Sequence, residues 1–174
     1  MTIFINGHDF RVELERVCRL FFPDEKIRFV EDGEAHDALH TQIILDETDT
    51  AGAAFIITDE SGSVRRYDAQ RVMPEGLDEM DRNLVLADVL FSTLVEATGY
   101  KPPWGVLTGV RPVKLLRMLH ETIGVEKAKE RMIDLFHCSP EKYQLCAETM
   151  RYEQPILDCS DAKSFSLYIS IPFC

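Results

Sequence analysis

The five cysteines are the first candidates for chemistry in this chain, because thiolates bind metal ions and act as nucleophiles. They are Cys18, Cys138, Cys146, Cys159 and Cys174. No two of them have the Cys-x-x-Cys spacing of a zinc knuckle. An odd number of cysteines without a secretion signal indicates reduced thiols and not a disulfide framework. We therefore predict that the first four fill core or surface positions, and we set Cys174 apart.

A basic segment at residues 107–115, Leu-Thr-Gly-Val-Arg-Pro-Val-Lys-Leu, is the second candidate. Its glycine permits unusual backbone angles, and its proline suits the first turn of a helix, where free N–H groups attract anions. Arginine can also hold a carboxylate with two hydrogen bonds. The segment therefore predicts either an anion contact or a structured loop that docks on a neighbouring domain. The residues concerned are Thr108, Gly109, Arg111 and Lys114, with Lys101 and Arg117 beside them.

The histidines give weaker signals. His36 and His40 lie in or beside an acidic loop, and without an HExxH spacing we interpret that loop as solvated. His137 precedes Cys138 at a helix end, where it could bind haem or cap the helix, and we predict the cap. No Ser-His-Asp set, Walker loop or GxGxxG is present, so hydrolase, NTPase and dinucleotide-binding functions have no support.

The elements that position these residues differ between the two halves of the chain. Residues 1–76 alternate as strands do, with one helical stretch over residues 10–22. The predicted strands cover residues 2–5, 26–31, 41–46, 53–58 and 64–69. Strands joined directly in sequence imply an antiparallel sheet, and the single helix would cover one of its faces. The prediction is a small α+β unit.

After residue 76 the hydrophobic period changes to that of helices, about 3.6 residues. The predicted helices cover residues 78–98, 112–123 and 125–138, and a fourth begins at Ser139 and Pro140. Residues 164–171 return to a strand pattern that is apolar on both faces, as in a buried strand of a parallel barrel.

The composition limits the class of protein. The chain has 174 residues, of which 45% are hydrophobic and 28% charged, with a net charge of −11. These values exclude disorder over most of the length, and the acidic charge argues against nucleic acid or a membrane as partner. No apolar run approaches the ~20 residues that span a bilayer. Because a signal peptide is also absent, we expect the cytoplasm.

Residues 166–174, Ser-Leu-Tyr-Ile-Ser-Ile-Pro-Phe-Cys, resemble the entry strand of radical S-adenosylmethionine (SAM) enzymes of the oxygen-independent coproporphyrinogen III oxidase family. The family motif is YIHIPFCxxxCxYC, and Ser170 stands where many members have histidine. By this resemblance Cys174 is the first ligand of a [4Fe–4S] cluster, and Tyr168 lies near SAM and the cluster. Residues 107–115, ahead of that strand, are similar to the N-terminal region of the HemZ-type branch.

The resemblance implies that the chain is the N-terminal part of a longer radical SAM protein and is inert alone. Residues 1–76 would be an α+β unit, residues 77–160 a helical region, and residues 161–174 the start of the radical SAM barrel. The partner of these regions would be the remainder of the same chain. The cluster and SAM would be bound only by the longer protein, with no cofactor expected here.

The implied activity of the longer protein is that of an oxidoreductase on a tetrapyrrole substrate. Oxidative decarboxylation would convert two propionates of coproporphyrinogen III to the vinyl groups of protoporphyrinogen IX, a step of haem synthesis. The alternative is a haem-binding, chaperone-type protein of the same superfamily, in which this chain is an interaction or docking module. The sequence that follows Cys174 would decide between the two.

Overall fold

The computed structural model describes residues 1–31, 37–161, 163–165 and 167–171. The strands are β1 (Thr2–Asn6), β2 (Arg28–Val30), β3 (Leu39–Leu45), β4 (Thr50–Thr58) and β5 (Val64–Val72). The helices are α1 (Arg11–Phe21), α2 (Glu79–Thr98), α3 (Pro112–Ile123), α4 (Val125–Glu130) and α5 (Pro140–Asp158), and a π-helical turn (Arg131–Leu135) follows α4. The predicted α+β class is confirmed.

The five strands form one sheet in the order β2-β1-β3-β4-β5. The pairs β3–β4 and β4–β5 are antiparallel, as the sequence predicts. The prediction of a wholly antiparallel sheet is wrong, because β1 runs parallel to both of its neighbours, with Ile3 opposite Phe29 and Thr41. The physical reason is that α1 forms a crossover connection, which returns the chain so that β2 runs in the same direction as β1.

The core lies between the sheet and the helices α1 and α2, which also contact each other. Ile3 of β1, Leu14 of α1, Phe55 of β4 and Leu90 of α2 are fully buried there. Helix α2 thus follows the predicted change of pattern after residue 76 and completes the core of the sheet. The division into domains at that residue stays a prediction.

The remaining helices begin and end where local signals predict. Helix α3 runs from Pro112 to the residue before Gly124, and Ser139 caps α5 by accepting a hydrogen bond from the Lys142 N–H at 3.3 Å. The predicted helix over residues 125–138 is instead divided, because α4 widens into a π-helical turn. None of the helices in the described ranges is long and apolar enough to cross a membrane.

The predicted strand over residues 164–171 is not formed in the part of that range that the structure describes. Within residues 163–165 and 167–171 the structure assigns no strand, and the side chains of Phe165 and Tyr168 are 89% and 88% exposed. A strand requires a hydrogen-bonded neighbour, and β1–β5 pair only with one another within the described residues. The assignment of this segment to a barrel stays a prediction.

Candidate functional site

The basic segment is held in place by the loop in front of it, residues 102–106, which lies against the turn at residues 136–139. Two backbone hydrogen bonds of 2.9 Å join them, from the Val106 N–H to the Phe136 carbonyl and from the Ser139 N–H to the Pro103 carbonyl. Gly105 is required at this contact, because its φ is +57° and a Cβ there would lie 1.8 Å from the Phe136 carbonyl oxygen. The N-terminal end of the basic segment is therefore held in place against the turn at residues 136–139.

Trp104 also helps to hold the loop at residues 102–106, which we call the anchor loop, in place. Its half-buried ring packs against the core, and the Lys142 Nζ of α5 lies 5.3 Å from the ring centroid. A cation over an aromatic face is attracted by the ring quadrupole. Trp104 therefore packs against elements of this chain.

The side chains of the basic segment line two different spaces. Gly109 has a φ of +66°, and Arg111 is the N-cap of α3, with Pro112 in the first turn. Thr108 lines a cavity on one side, whereas Arg111 and Lys114 line a cleft on the other. The structure thus does not bring the four predicted residues into one site.

The cavity that Thr108 lines has a volume of about 630 Å³ and lies between α1, α2 and the loop 106–110. Its walls are mainly apolar side chains: Phe10, Val17, Leu84, Ala87, Leu107 and Phe136. At the mouth, the Arg16 guanidinium approaches Gly109, where a Cβ would be 3.8 Å from its Cζ. We call this space the apolar cavity.

The cleft on the other side has a volume of about 810 Å³ and lies between α3 and α5. We call it the basic cleft, lined by Val110, Arg111, Val113, Lys114, Leu115, Arg117 and Met118, with Glu121 and Glu153. Arg117 donates a 2.7 Å hydrogen bond to the Glu153 Oε2, and its buried Nε has no acceptor among the described residues. The exposed Arg111 and Lys114 form no ion pair with any residue that the structure describes.

A buried carboxylate that the sequence did not predict binds to the turn at residues 136–139. The side chain of Asp88 in α2 is 1% exposed, and its carboxylate pairs with Arg71 of β5 and with the Nε2 of His137. The His137 ring stacks on Phe91, with centroids 4.8 Å apart. His137 directly follows the C-cap Phe136 and has a φ of +56°, as residues that end helices often do, and its ring in addition binds the Asp88 carboxylate. The available signal was one aspartate in the apolar stretch Leu-Val-Leu-Ala-Asp-Val-Leu-Phe.

The described cysteines do not form a metal site. Burial raises the pKa of Cys18 to about 12 and that of Cys138 to about 11, and burial also raises the pKa of Cys146. These thiols are therefore protonated at neutral pH, while Cys159 is exposed. The described residues contain no group of three or more His, Cys, Asp or Glu side chains that could hold a metal ion. They do not fit an iron–sulfur ligand set.

The other predicted site residues are placed as follows. Tyr168 is exposed and lines neither the apolar cavity nor the basic cleft. Cys174, the predicted cluster ligand, lies outside the described residues, as does His36. His40 lies in β3, where its ring meets the edge of Phe4 with centroids 6.2 Å apart. The cluster and SAM contacts stay predictions.

One similarity to a known protein bears on the function. The chain is 35% identical over 89 residues to the oxygen-independent coproporphyrinogen-III oxidase-like protein HemZ of Bacillus subtilis (strain 168). The match covers 49% of this chain but 18% of that protein, so the matched part spans less than a fifth of the relative. No protein-family profile matches the chain. The similarity confirms the relationship to HemZ-type coproporphyrinogen III oxidase-like proteins that the motifs of this chain predict.

Proposed function

We propose that this chain is the N-terminal accessory region of a radical SAM protein of the coproporphyrinogen III oxidase-like type. The similarity to HemZ over 89 residues carries this proposal. The Ile-Pro-Phe-Cys string at residues 171–174 supports it, because it resembles the first cluster-binding motif of that group. In the full protein, a barrel that begins near residue 161 would hold the cluster and SAM, which supply radical chemistry when bound.

The thiols of the described residues support an accessory role and not a catalytic one. Cys18 and Cys138 are buried and protonated, and neither lines the apolar cavity or the basic cleft. A nucleophile or metal ligand needs an accessible thiolate. Cluster binding in the full protein would therefore depend on Cys174 and on residues that follow it, since Cys159 is the single exposed thiol among the described residues.

The basic segment has two possible roles in such a protein. Gly109 and Arg111 lie on an anchored, exposed turn, and Lys114 projects from the first turn of α3. This surface would contact either the adjoining barrel or an anion, because exposed arginine and lysine side chains serve both purposes. Thr108 would act separately, at the apolar cavity.

The test is an anaerobic assay of a longer form of this protein that includes the sequence after Cys174, with SAM, a reductant and coproporphyrinogen III. We expect protoporphyrinogen IX, with loss of two CO₂ per substrate, and a cluster absorption that the Cys174→Ala variant lacks. The matched control is Cys159→Ala, because Cys159 is exposed and should leave both readouts unchanged. No vinyl product together with tight haem binding would overturn the proposal in favour of the haem-binding alternative.

A further inference from the structure

We propose that the basic cleft binds an organic anion, a carboxylate attached to an apolar body. The inference rests on the second role proposed for the basic segment, contact with an anion, and deepens it by naming the class of ligand and the residues 110–118 that would bind it. It rests on three features of the cleft: its excess of positive charge, its apolar walls and its fixed shape.

The charge comes from three cations on one side of α3. Arg111, Lys114 and Arg117 are spaced three residues apart, so their side chains are neighbours on the helix surface. The carboxylates in the cleft are Glu153, which is hydrogen bonded to Arg117, and Glu121. Arg111 and Lys114 therefore remain available to an incoming anion, in a chain whose net charge is −11.

Apolar side chains stand directly beside these cations. Val110 and Met118 are each 47% exposed and line the cleft with Val113 and Leu115. An inorganic anion bound in the cleft would leave these apolar side chains exposed to water. A ligand with an apolar body would bury them, which is favourable. The cleft has a volume of about 810 Å³ and is open to solvent.

The cleft is also organised before any ligand binds. Its N-terminal end follows the loop that Gly105 fixes against the Phe136 carbonyl, and the Arg117–Glu153 hydrogen bond joins α3 to α5. A preformed site loses less conformational freedom on binding than a mobile one. The same cleft could not be both filled by another domain and open to a ligand.

The test uses two fluorescent probes that share one apolar body, pyrenebutyrate and the neutral pyrenebutanol, titrated with this chain at low ionic strength. We expect pyrenebutyrate to bind at least about tenfold more tightly than pyrenebutanol, because only its carboxylate can pair with Arg111 and Lys114. Added salt should weaken the binding of pyrenebutyrate and leave that of pyrenebutanol unchanged, since salt screens exposed charges.

Variants assign the site. The double variant Arg111→Gln, Lys114→Gln should abolish the preference for pyrenebutyrate, whereas Lys127→Gln, an exposed lysine of α4 outside the cleft, should preserve it. Met118→Gln should weaken both probes. Equal affinity of the two probes, or an unchanged preference in the double variant, would overturn the inference. The barrel assay described above is independent of this result, so either proposal can fail alone.

Discussion

The substitution Gly105→Ala tests whether the anchor loop determines the stability of the fold. The added Cβ would lie 1.8 Å from the Phe136 carbonyl oxygen and 2.6 Å from the His137 carbonyl carbon. Real Cβ atoms do not approach backbone that closely, so the turn at residues 136–139 must move away. Both backbone hydrogen bonds between this turn and the loop would then lengthen or break.

The expected loss has two parts. A positive φ costs a non-glycine residue about 1–2 kcal/mol, and each lost backbone hydrogen bond costs about 1 kcal/mol. We therefore expect Gly105→Ala to lower the free energy of unfolding by about 3–4 kcal/mol. Urea unfolding followed by circular dichroism measures the change, provided that the denaturant slope is unchanged.

Gly62→Ala is the matched control. Gly62 also has a positive φ, +81°, but a Cβ there would have no heavy atom within 4 Å. It should therefore show only the conformational loss of about 1–2 kcal/mol. If the two variants lose equal stability, the close contact of Gly105 with Phe136 is not an anchor and the reasoning is refuted.

Three further predictions concern buried groups. Asp88→Asn should lower the free energy of unfolding by about 1–3 kcal/mol, because it removes the shared charge partner of a buried cluster; urea unfolding measures this. Burial lowers the pKa of His8 below its ordinary 6.5, so the unfolded chain binds its proton more strongly. The free energy of unfolding should therefore fall as the pH drops below 6.5, and His8→Gln should reduce that slope. In a Cys174→Ser background, a thiol reagent at pH 8 should label Cys159 quickly, whereas Cys18, with a pKa of about 12, should react only after unfolding.

Each of these predictions has its own control. Asp68→Asn removes an exposed ion pair with Arg66 and should cost less than about 1 kcal/mol; a loss equal to that of Asp88→Asn would show that burial is irrelevant. An unchanged pH slope in His8→Gln would assign the pH dependence to other groups. Rapid labelling of Cys18 in the folded chain would contradict its burial.

Local signals were sufficient for the helices near the site. Pro112 at the start of α3 and Gly124 after its end are the residues that favour helix termini, and the structure ends the helix between them. Ser139 and Pro140 act in the same way at α5. The exposure of Arg111 and Lys114 follows from this, because a helix that buries Leu116 and Leu119 must present its charged residues to solvent.

Contacts between distant residues could not be predicted from such signals. The parallel pairing of β1 with β3 joins residues about forty positions apart, and an alternating pattern identifies a strand without naming its partner. Similarly, His137 and Asp88 are 49 residues apart, and each has an ordinary local explanation as a cap or a surface charge.

The division of the basic segment into two surfaces also follows from tertiary structure. In sequence, Thr108 and Arg111 are three residues apart and suggest one anion contact. The positive φ of Gly109 and the anchoring of the preceding loop at Phe136 turn the chain between them, so Thr108 lines the apolar cavity and Arg111 the basic cleft. Val110 and Leu115 line both spaces, which therefore adjoin each other. A ligand of the basic cleft is therefore selected by Arg111, Lys114 and the apolar wall, and substitution of Thr108 should leave its affinity unchanged.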